Sequence, residues 1–330
     1  MQKIRFGVVG TNFITDWIIE GGREDERFEL TAVCSRSEQT ARSFAGKHRI
    51  PHHFTSLEEM AKSQLVDAIY IASPNAIHAQ QSILCMQNGK HVLCEKAFAS
   101  NAREARLMIE TAQRQGVVLM EAMKPTLTPS FGAVVNHLHK IGKVRRYFAV
   151  YCQYSSRYDK LKEGVILNAF QPELSNGATM DIGVYTLYPM VVLFGKPEAI
   201  QVTGTKLLGG VDGQVAVNFT YKDGLIATVL YGKIADSTLP TEIQGEAGTI
   251  KLDRINIISE VTLINRKGDK EDIRPATTHH EYYYEIAEFI DIIQSGRKES
   301  HINTHSNTLI TMEIMDEIRA RLGVRFPADQ

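Results

Sequence analysis

Residues 6–15 read Phe-Gly-Val-Val-Gly-Thr-Asn-Phe-Ile-Thr, an apolar run that passes through Gly10 into a helical pattern. A strand, a glycine turn and a helix start direct backbone N–H groups and the positive end of a helix towards a pyrophosphate. Of the dinucleotide pattern G-x-G-x-x-G only Gly10 is kept, because Asn12 takes the second glycine position and Thr15 the third. Thr11 or Asn12 can cap the helix, so the stretch still favours a nucleotide-binding turn.

Outward from this turn, short apolar runs alternate with helical patterns. We predict strands over residues 4–9, 29–34, 68–72, 91–94 and 117–120, and helices over residues 14–21, 38–47, 77–88 and 102–115. Strands and helices that alternate with short connections are typical of right-handed βαβ units, and therefore of a doubly wound parallel sheet. Residues 1–123 are predicted to form such an α/β unit, a Rossmann domain that binds a dinucleotide.

The pattern changes near Met123-Lys124-Pro125, where closely spaced strands replace the alternation. Turn sequences such as Lys222-Asp223-Gly224 join neighbouring strands as hairpins. A polar loop is expected from Tyr154 to about Asn176, then a helix over residues 180–194, and two helices close the chain at 281–295 and 306–322. Residues 124–330 are therefore predicted to form an α+β domain with a largely antiparallel open sheet.

The composition excludes several classes of partner. The 330 residues are 43% hydrophobic and 23% charged, with a formal net charge of −1. We therefore expect no nucleic-acid partner and no membrane, and we see no apolar run that approaches the ~20 residues of a membrane span. The four cysteines are scattered without a C-x-x-C pair, which indicates reduced thiols, no metal site and a cytoplasmic location.

The residues after the second predicted strand bear on which dinucleotide is bound. Enzymes that bind NAD usually carry an acid there, which accepts the ribose hydroxyls. This chain has Cys34-Ser35-Arg36 instead. A hydroxyl followed by a guanidinium suits a 2′-phosphate, whereas the simpler alternative is a solvated arginine that starts the next helix. We therefore expect NADP, with NAD as the alternative.

Two later strands also end in side chains of chemical interest. Ser73-Pro74-Asn75 follows one of them, and His78 lies in the next helical turn, either towards the same crevice or as a surface cap. Lys96 follows the apolar run His91–Cys94 and the acid Glu95. Ligands of an open parallel sheet bind outside the carboxyl ends of its strands, and an ammonium backed by an apolar sheet can acquire a shifted pKa. Taken alone, Lys96 is explained equally simply as a solvated lysine paired with Glu95.

The chain resembles one family in two separate parts of its sequence. The first part is Ser73-Pro74-Asn75-x-x-His78 with Gly89-Lys90-His91-Val92-x-Cys94-Glu95-Lys96, and the second is Asn176-Gly177-Ala178-Thr179-Met180-Asp181-Ile182-Gly183-Val184-Tyr185. Both are similar to the glucose–fructose oxidoreductase, inositol dehydrogenase and rhizopine-catabolism (Gfo/Idh/MocA) family. Within that family the chain looks closest to the dihydrodiol dehydrogenase-like members, which carry tyrosine where inositol dehydrogenases carry histidine.

The chain departs from the family pattern at three places. The glycine turn is depleted, and the usual glycine run before the aspartate reads Ser175-Asn176-Gly177. The family's Glu-Lys-Pro reads Glu95-Lys96-Ala97. Family members often have a cis bond before that proline, and a cis bond without proline costs ~2.5–4 kcal/mol. The sequence therefore leaves the conformation of the Lys96–Ala97 bond open.

The resemblance implies an NAD(P)-dependent oxidoreductase that transfers a hydride between nicotinamide and a sugar, polyol or dihydrodiol-like substrate. It assigns proton transfer to Tyr185, stabilisation of charge on the substrate oxygen to Lys96, and orientation of a hydroxyl or of the lysine to Asp181. The residues expected to contact the cofactor are Gly10, Thr11, Asn12, Phe13, Ile14, Ser35, Arg36, Ser73, Pro74, Asn75, His78, Glu95 and Lys96. Since Pro189 cannot donate a backbone bond to the Tyr185 carbonyl, we expect the helix to be bent or broken just beside the tyrosine.

The resemblance also bears on substrate contacts, assembly and rival functions. Arg157 and Asn168 of the polar loop are candidates for contacts to sugar hydroxyls, with a plain surface loop as the alternative. A homodimer or homotetramer is expected. An NAD-dependent glycosidase of the same fold would recycle its cofactor, and a non-enzymatic NADP sensor would lack the catalytic lysine. Lys96, Asp181 and Tyr185 together argue against the sensor.

Overall fold

The computed structural model describes residues 2–330, which form two compact units. The first unit contains the chain up to Lys124 with Thr278–Leu309, and the second contains Pro125–Thr277 with Ile310–Gln330. The sequence predicts one boundary after residue 123 and a single later domain, whereas the structure places Thr278–Leu309 with the N-terminal part. Aromatic packing accounts for this, since the ring of Phe289 lies 6.0 Å from that of Phe6 in the first strand.

The first unit is built around six strands. They are β1 (Ile4–Val9), β2 (Phe28–Cys34), β3 (His52–Phe54), β4 (Ala68–Ile71), β5 (His91–Glu95) and β6 (Leu119–Ala122). The helices between them are α1 (Phe13–Gly22), α2 (Glu38–His48), α3 (Leu57–Lys62), α4 (His78–Gln87) and α5 (Ala102–Gln115). The strands pair in parallel in the order β3-β2-β1-β4-β5-β6, which confirms the predicted doubly wound sheet.

The strand order determines where this unit can bind a ligand. The chain runs from β1 outwards to β3 and then returns to the other side of β1 with β4. Connections therefore leave β1 and β4 in opposite directions, and a crevice opens outside their carboxyl ends. Every residue of β4 is buried, as expected for a strand that is covered on both faces.

The second unit combines an eight-stranded sheet with helices. Its strands are β7 (Val144–Cys152), β8 (Ala199–Lys206), β9 (Asp212–Thr220), β10 (Ile226–Gly232), β11 (Thr241–Gly245), β12 (Gly248–Leu252), β13 (Val261–Asn265) and β14 (Lys270–Asp272). The helices that follow Lys124 along the chain are α6 (Pro129–His137), α7 (Ser156–Lys162), α8 (Val184–Phe194), α9 (Tyr283–Gln294) and α10 (His305–Leu322). Of these, α9 belongs to the first unit, and α10 begins there and ends in the second.

The strand pairing of the second sheet is mostly antiparallel. The order is β14-β13-β12-β11-β7-β10-β9-β8. Only β7 and β10 pair in parallel among the neighbours that the structure describes, and the other neighbouring pairs are antiparallel. This confirms the predicted α+β class of the C-terminal part.

Several short elements escape the sequence prediction. The polar loop expected from Tyr154 to about Asn176 contains α7, and β3, α3 and β14 were not expected either. All four are between three and seven residues long. Such lengths span at most about two helical turns or one strand repeat. The sequence is then too short to show the hydrophobic periodicity of a helix or a strand.

The helix is not broken at Pro189, because α8 runs through that residue as one helix. The irregular turn lies before Tyr185, where Thr179–Gly183 forms a π-helical turn. The longer segment Pro172–Phe194 is long and apolar enough to span a membrane by length and composition, contrary to our expectation that no run approaches that length. It is a core helix of the second unit, because 72% of its most apolar part is buried.

Three glutamate side chains are buried inside the first unit. Burial raises the pKa of Glu95 and raises the pKa of Glu285 well above its usual range. Burial likewise raises the pKa of Glu121 to about 8, although the Thr308 hydroxyl donates a hydrogen bond of 2.8 Å to its carboxyl. A raised pKa means that the folded chain favours the neutral acid, so each group stabilises the fold more at acidic than at alkaline pH.

We predict that Glu121→Gln flattens the dependence of stability on pH. From about pH 4.5 to pH 8 the folded chain holds a proton that the unfolded chain has released, so this group lowers the free energy of unfolding by up to ~1.4 kcal/mol per pH unit. Glutamine does not titrate and still offers Thr308 an acceptor. Urea unfolding at about pH 5 and about pH 8 should show a smaller loss of stability in the variant. The exposed Glu110→Gln is the control, and an equal slope in all three proteins would contradict the prediction.

Candidate active site

The glycine turn after β1 brings the backbone against the neighbouring strand. Gly10 has a φ of +101°, and a Cβ atom there would lie 2.6 Å from the carbonyl oxygen of Ala72. Asn12 caps α1, since its Oδ1 accepts hydrogen bonds from the N–H groups of Ile14 (2.9 Å) and Thr15 (3.2 Å). Its Nδ2 donates to the same Ala72 carbonyl at 3.0 Å. The turn therefore requires glycine at position 10, and Asn12 ties it to the end of β4.

The first turn of α1 carries an acid that would oppose a bound anion. Partial burial acts to raise the pKa of Asp16, but hydrogen bonds from Lys47 and His48 outweigh burial and lower it. The two donors lie 2.8 Å and 2.6 Å from the Asp16 carboxylate. Its negative charge is therefore offset by a neighbouring cation. Phe13, in the same turn, is 55% exposed and open to a ligand.

The end of β2 presents a cation without an acid beside it in the chain. The Ser35 N–H donates to the Phe54 carbonyl at 3.1 Å, and Ser37 caps α2 through its hydroxyl. Arg36 lies between them and is exposed. Its guanidinium therefore projects from a loop whose backbone is fixed on both sides, which suits recognition of a phosphate.

The loop after β4 is fixed by a buried histidine. His78 is fully buried, and its two ring nitrogens lie 2.9 Å from the Ala97 carbonyl oxygen and 2.8 Å from that of Ser73. Burial lowers the pKa of its imidazole. Of the two positions considered from the sequence, the structure supports neither, because His78 holds two loops together from the interior. Its neighbours Ser73 and Asn75 are partly exposed.

Lys96 stands directly after β5, and the Lys96–Ala97 peptide bond is cis. The side chain of Lys96 is partly exposed, whereas Glu95 is buried. Glu95 accepts a hydrogen bond from the Tyr70 hydroxyl and one of 3.2 Å from the Lys96 backbone N–H. Glu95 therefore anchors the loop from inside the sheet.

The second unit supplies Asp181 and Tyr185 from an irregular helix start. Asp181 belongs to the π-helical turn and Tyr185 to the first turn of α8, and both are partly exposed. The ring of Tyr151 on β7 meets that of Tyr185 edge to face at 5.7 Å. Lys233, directly after β10, pairs with Asp181. Lys233 is not among the residues predicted from the sequence, although it follows an apolar strand just as Lys96 does.

The π-helical turn is anchored to the sheet beneath it. Asp212 on β9 accepts hydrogen bonds from the N–H (2.6 Å) and the hydroxyl (2.7 Å) of Thr179, whose hydroxyl also lies 3.0 Å from that of Tyr231. Burial raises the pKa of Asp212. A Cβ atom on Gly183 would lie 2.8 Å from the Tyr231 ring. These contacts fix both ends of the turn that carries Asp181.

The remaining candidates lie between β7 and α8. Arg157 is in the first turn of α7, where its N–H is 3.3 Å from the Ser155 hydroxyl, and its side chain is exposed. Asn168 is exposed at the start of a short 3-10 turn, and its carbonyl accepts a bond of 2.7 Å from Asn176. Neither is buried in a polar network, so both are open to a ligand.

The sequence matches two family descriptions over most of its length. The first, an oxidoreductase family with an NAD-binding Rossmann fold, matches residues 4–123, and the second, a GFO/IDH/MocA C-terminal domain, matches residues 138–251. The chain belongs to the Gfo/Idh/MocA oxidoreductase family. This confirms the resemblance noted in the sequence, and with it an enzyme that uses a nicotinamide cofactor.

Relatives of this Gfo/Idh/MocA protein include enzymes of both branches considered above. It is 51% identical to a scyllo-inositol 2-dehydrogenase (NADP(+)) of Bacillus subtilis, with 99% of each chain covered. It is 30% identical to a trans-1,2-dihydrobenzene-1,2-diol dehydrogenase of Xenopus tropicalis, with 91% of each covered. The dihydrodiol dehydrogenases are thus more distant than the inositol enzyme, and the expectation that the chain is closest to the dihydrodiol dehydrogenase-like members is wrong.

A solved structure supports the fold. The aldose-aldose oxidoreductase of Caulobacter crescentus superposes with a TM-score of 0.88 at 18% identity, covering 98% of both chains. The fold that contains the Rossmann sheet and the eight-stranded sheet is therefore shared with a solved structure.

We predict that Thr179→Val destabilises the second unit more than Thr186→Val does. Valine keeps the shape of threonine but removes the hydroxyl shared by Asp212 and Tyr231, which should cost about 2 kcal/mol. The hydroxyl of Thr186 is equally buried but bonds only the Gly183 carbonyl of its own helix at 2.8 Å, so its loss should cost less than ~1 kcal/mol. Urea unfolding of the two variants measures the difference. Equal losses would show that the Thr179 contacts do not anchor the turn.

Proposed function

We propose that this protein is an NADP-dependent dehydrogenase that oxidises one ring hydroxyl of a cyclic polyol such as scyllo-inositol. The observation that carries the proposal is the 51% identity, over 99% of both chains, to a scyllo-inositol 2-dehydrogenase that uses NADP(+). In this reaction a carbinol becomes a ketone: its C–H leaves as a hydride to NADP⁺ and its O–H as a proton. Hydrolysis of a glycoside would give no net NADPH and is the outcome that opposes the proposal.

The first unit offers groups that fit NADP. The Gly10 turn leaves no room for a side chain beside Ala72, so backbone there can approach a pyrophosphate closely. Arg36 is exposed after β2 and supplies the cation for a 2′-phosphate, with the Ser35 hydroxyl beside it. Ser73 and Asn75 line the end of the neighbouring strand. Bound NADP⁺ supplies the hydride acceptor, while these residues bind and orient it.

One of the proposed catalytic residues transfers a proton, and another stabilises a developing charge. Tyr185 takes the hydroxyl proton during oxidation and returns it during reduction. The Lys96 ammonium stabilises the negative charge that develops on the reacting oxygen. Asp181 accepts a hydrogen bond from a hydroxyl of the substrate and so fixes which carbon presents its hydrogen. All three side chains are partly exposed, which supports contact with a ligand.

The contacts to the rest of the polyol and the assembly are part of the same proposal. Arg157 and Asn168 are exposed and offer a guanidinium and an amide to further hydroxyls. We assign the protein to the cytoplasm as a homodimer or homotetramer. An exposed face of the second sheet supports the oligomer. Ile226 on β10 is 42% exposed there, and its cross-strand partner Thr220 on β9 is exposed on the same face. A second copy of the chain would cover this face.

We predict that Arg36→Ala weakens NADPH binding and leaves NADH binding unchanged. Loss of a charge-assisted hydrogen bond to the 2′-phosphate should raise the Kd for NADPH by about 10- to 100-fold. NADH lacks that phosphate, so its Kd should stay within about twofold. Fluorescence titration with each nucleotide measures both values. The exposed Arg42→Ala, on the helix α2 that follows this loop, is the control. An NADPH Kd within about threefold of wild type would show that Arg36 does not bind the 2′-phosphate.

We predict that Lys96→Met stops turnover without loss of the cofactor. Wild type given NADP⁺ and scyllo-inositol should form NADPH and an equal amount of the corresponding cyclic ketone. Without the ammonium, kcat should fall by about 10³-fold, while the Kd for NADPH stays within about tenfold. Steady-state kinetics with product analysis by mass spectrometry measures this. Lys62→Met, which changes an exposed lysine of α3, should leave both constants unchanged. Near-full turnover in Lys96→Met would refute its role.

A further inference from the structure

We propose that Lys233 is a positioning residue of the reaction, which holds the carboxylate of Asp181 charged and in one orientation. This inference rests on the proposed function, because it assigns Lys233 a role through Asp181. Lys233 follows β10, and its N–H donates to the Gly213 carbonyl at 2.8 Å, so its backbone is fixed to β9. Its ammonium pairs with one oxygen of Asp181.

The two partners differ in exposure, and this difference decides their roles. The side chain of Lys233 is 5% exposed, whereas that of Asp181 is 38% exposed. The ammonium is thus enclosed, and the carboxylate is the member of the pair that reaches a ligand. Lys233 therefore acts on the substrate through Asp181 and does not touch it.

The enclosure of Lys233 makes the pair hard to break. A buried ammonium is costly unless a carboxylate compensates it, so rotation of Asp181 away from Lys233 is strongly opposed. The Phe170 ring, 5.6 Å from Nζ, covers the ammonium on another side. Loss of the lysine would remove this restraint on Asp181, whereas loss of the aspartate would leave an uncompensated charge inside the unit.

Four other titratable side chains lie at the π-helical turn or on the elements that carry its contacts. They are Asp212 on β9, Tyr231 on β10, Tyr151 on β7 and Tyr185 on α8. None of these four carries a positive charge. Asp212 and Tyr231 are engaged with Thr179 beneath the turn. Among these neighbours, the ammonium that fixes Asp181 comes from Lys233.

A double-mutant cycle on kinetics tests the positioning role. Lys233→Met should lower kcat/KM for the polyol by about 30-fold in the wild-type background, with the Kd for NADPH within about threefold. In the Asp181→Asn background the same change should alter kcat/KM by less than about threefold, because the residue it acts through is already neutral. Lys233→Arg should restore part of the lost activity. Additive losses in the two backgrounds would overturn the proposal.

A matched control separates positioning from general loss of a buried lysine. Lys90 is also buried, and its ammonium donates to the Ser63 and Val66 carbonyl oxygens at 2.8 Å and 2.9 Å. Lys90→Met should lower the melting temperature and leave kcat/KM unchanged. If Lys90→Met lowers kcat/KM as much as Lys233→Met does, the effect of Lys233 is structural and the proposal falls.

Thermal unfolding provides a readout that does not depend on the substrate. Asp181→Asn should lower the melting temperature by roughly 5 °C, because it strands the buried ammonium. The double variant Asp181→Asn/Lys233→Met should melt above Asp181→Asn alone. If the double variant recovers stability but the wild-type protein oxidises no polyol, the result would support the pairing and count against the proposed function. Absence of recovery would overturn the pairing, whatever the substrate.

Discussion

The close approach of Gly10 to the Ala72 carbonyl constrains everything around the nucleotide turn. The two strands that meet there, β1 and β4, are neighbours across the point where the strand order reverses, so the backbone after β1 must pass beside the end of β4. With 2.6 Å between that carbonyl oxygen and a would-be Cβ, only glycine fits at position 10. The other two glycine positions of the pattern hold Asn12 and Thr15, so they do not require glycine in this chain. Asn12 even uses its amide to bond the same carbonyl.

Much of the fold was predictable because long elements repeat a pattern often enough to be recognised. The parallel sheet of the first unit and most strands of the second follow from apolar runs separated by turn residues. Segments of three to seven residues, such as β3 and α7, carry no such repeat and were missed. The return of Thr278–Leu309 to the first unit was also missed, because packing of Phe289 near Phe6 joins residues that are distant in sequence.

The sequence predicted the site residues that belong to a motif. It did not predict residues that only tertiary contacts bring into the site. Lys96, Asp181 and Tyr185 stood out through their motifs, and their catalytic roles stay predictions. Lys233 carried the same local signal as Lys96, a lysine just after an apolar strand, but no motif drew attention to it. His78 and Glu95 belonged to the motifs yet lie inside the first unit, where they anchor loops. Burial of a polar residue is set by the packed fold and cannot be read from its place in a motif.

The π-helical turn at Thr179–Gly183 has a consequence for how this chain compares with its relatives. A π turn holds one residue more than the α-helical turn it replaces. Deleting one residue here would rotate the preceding chain by about 100° about the helix axis. Asp181 would then leave the side of the helix that meets Lys233. A relative that lacks one of these five positions would therefore present its aspartate in a different direction, even where the aspartate and tyrosine are both retained.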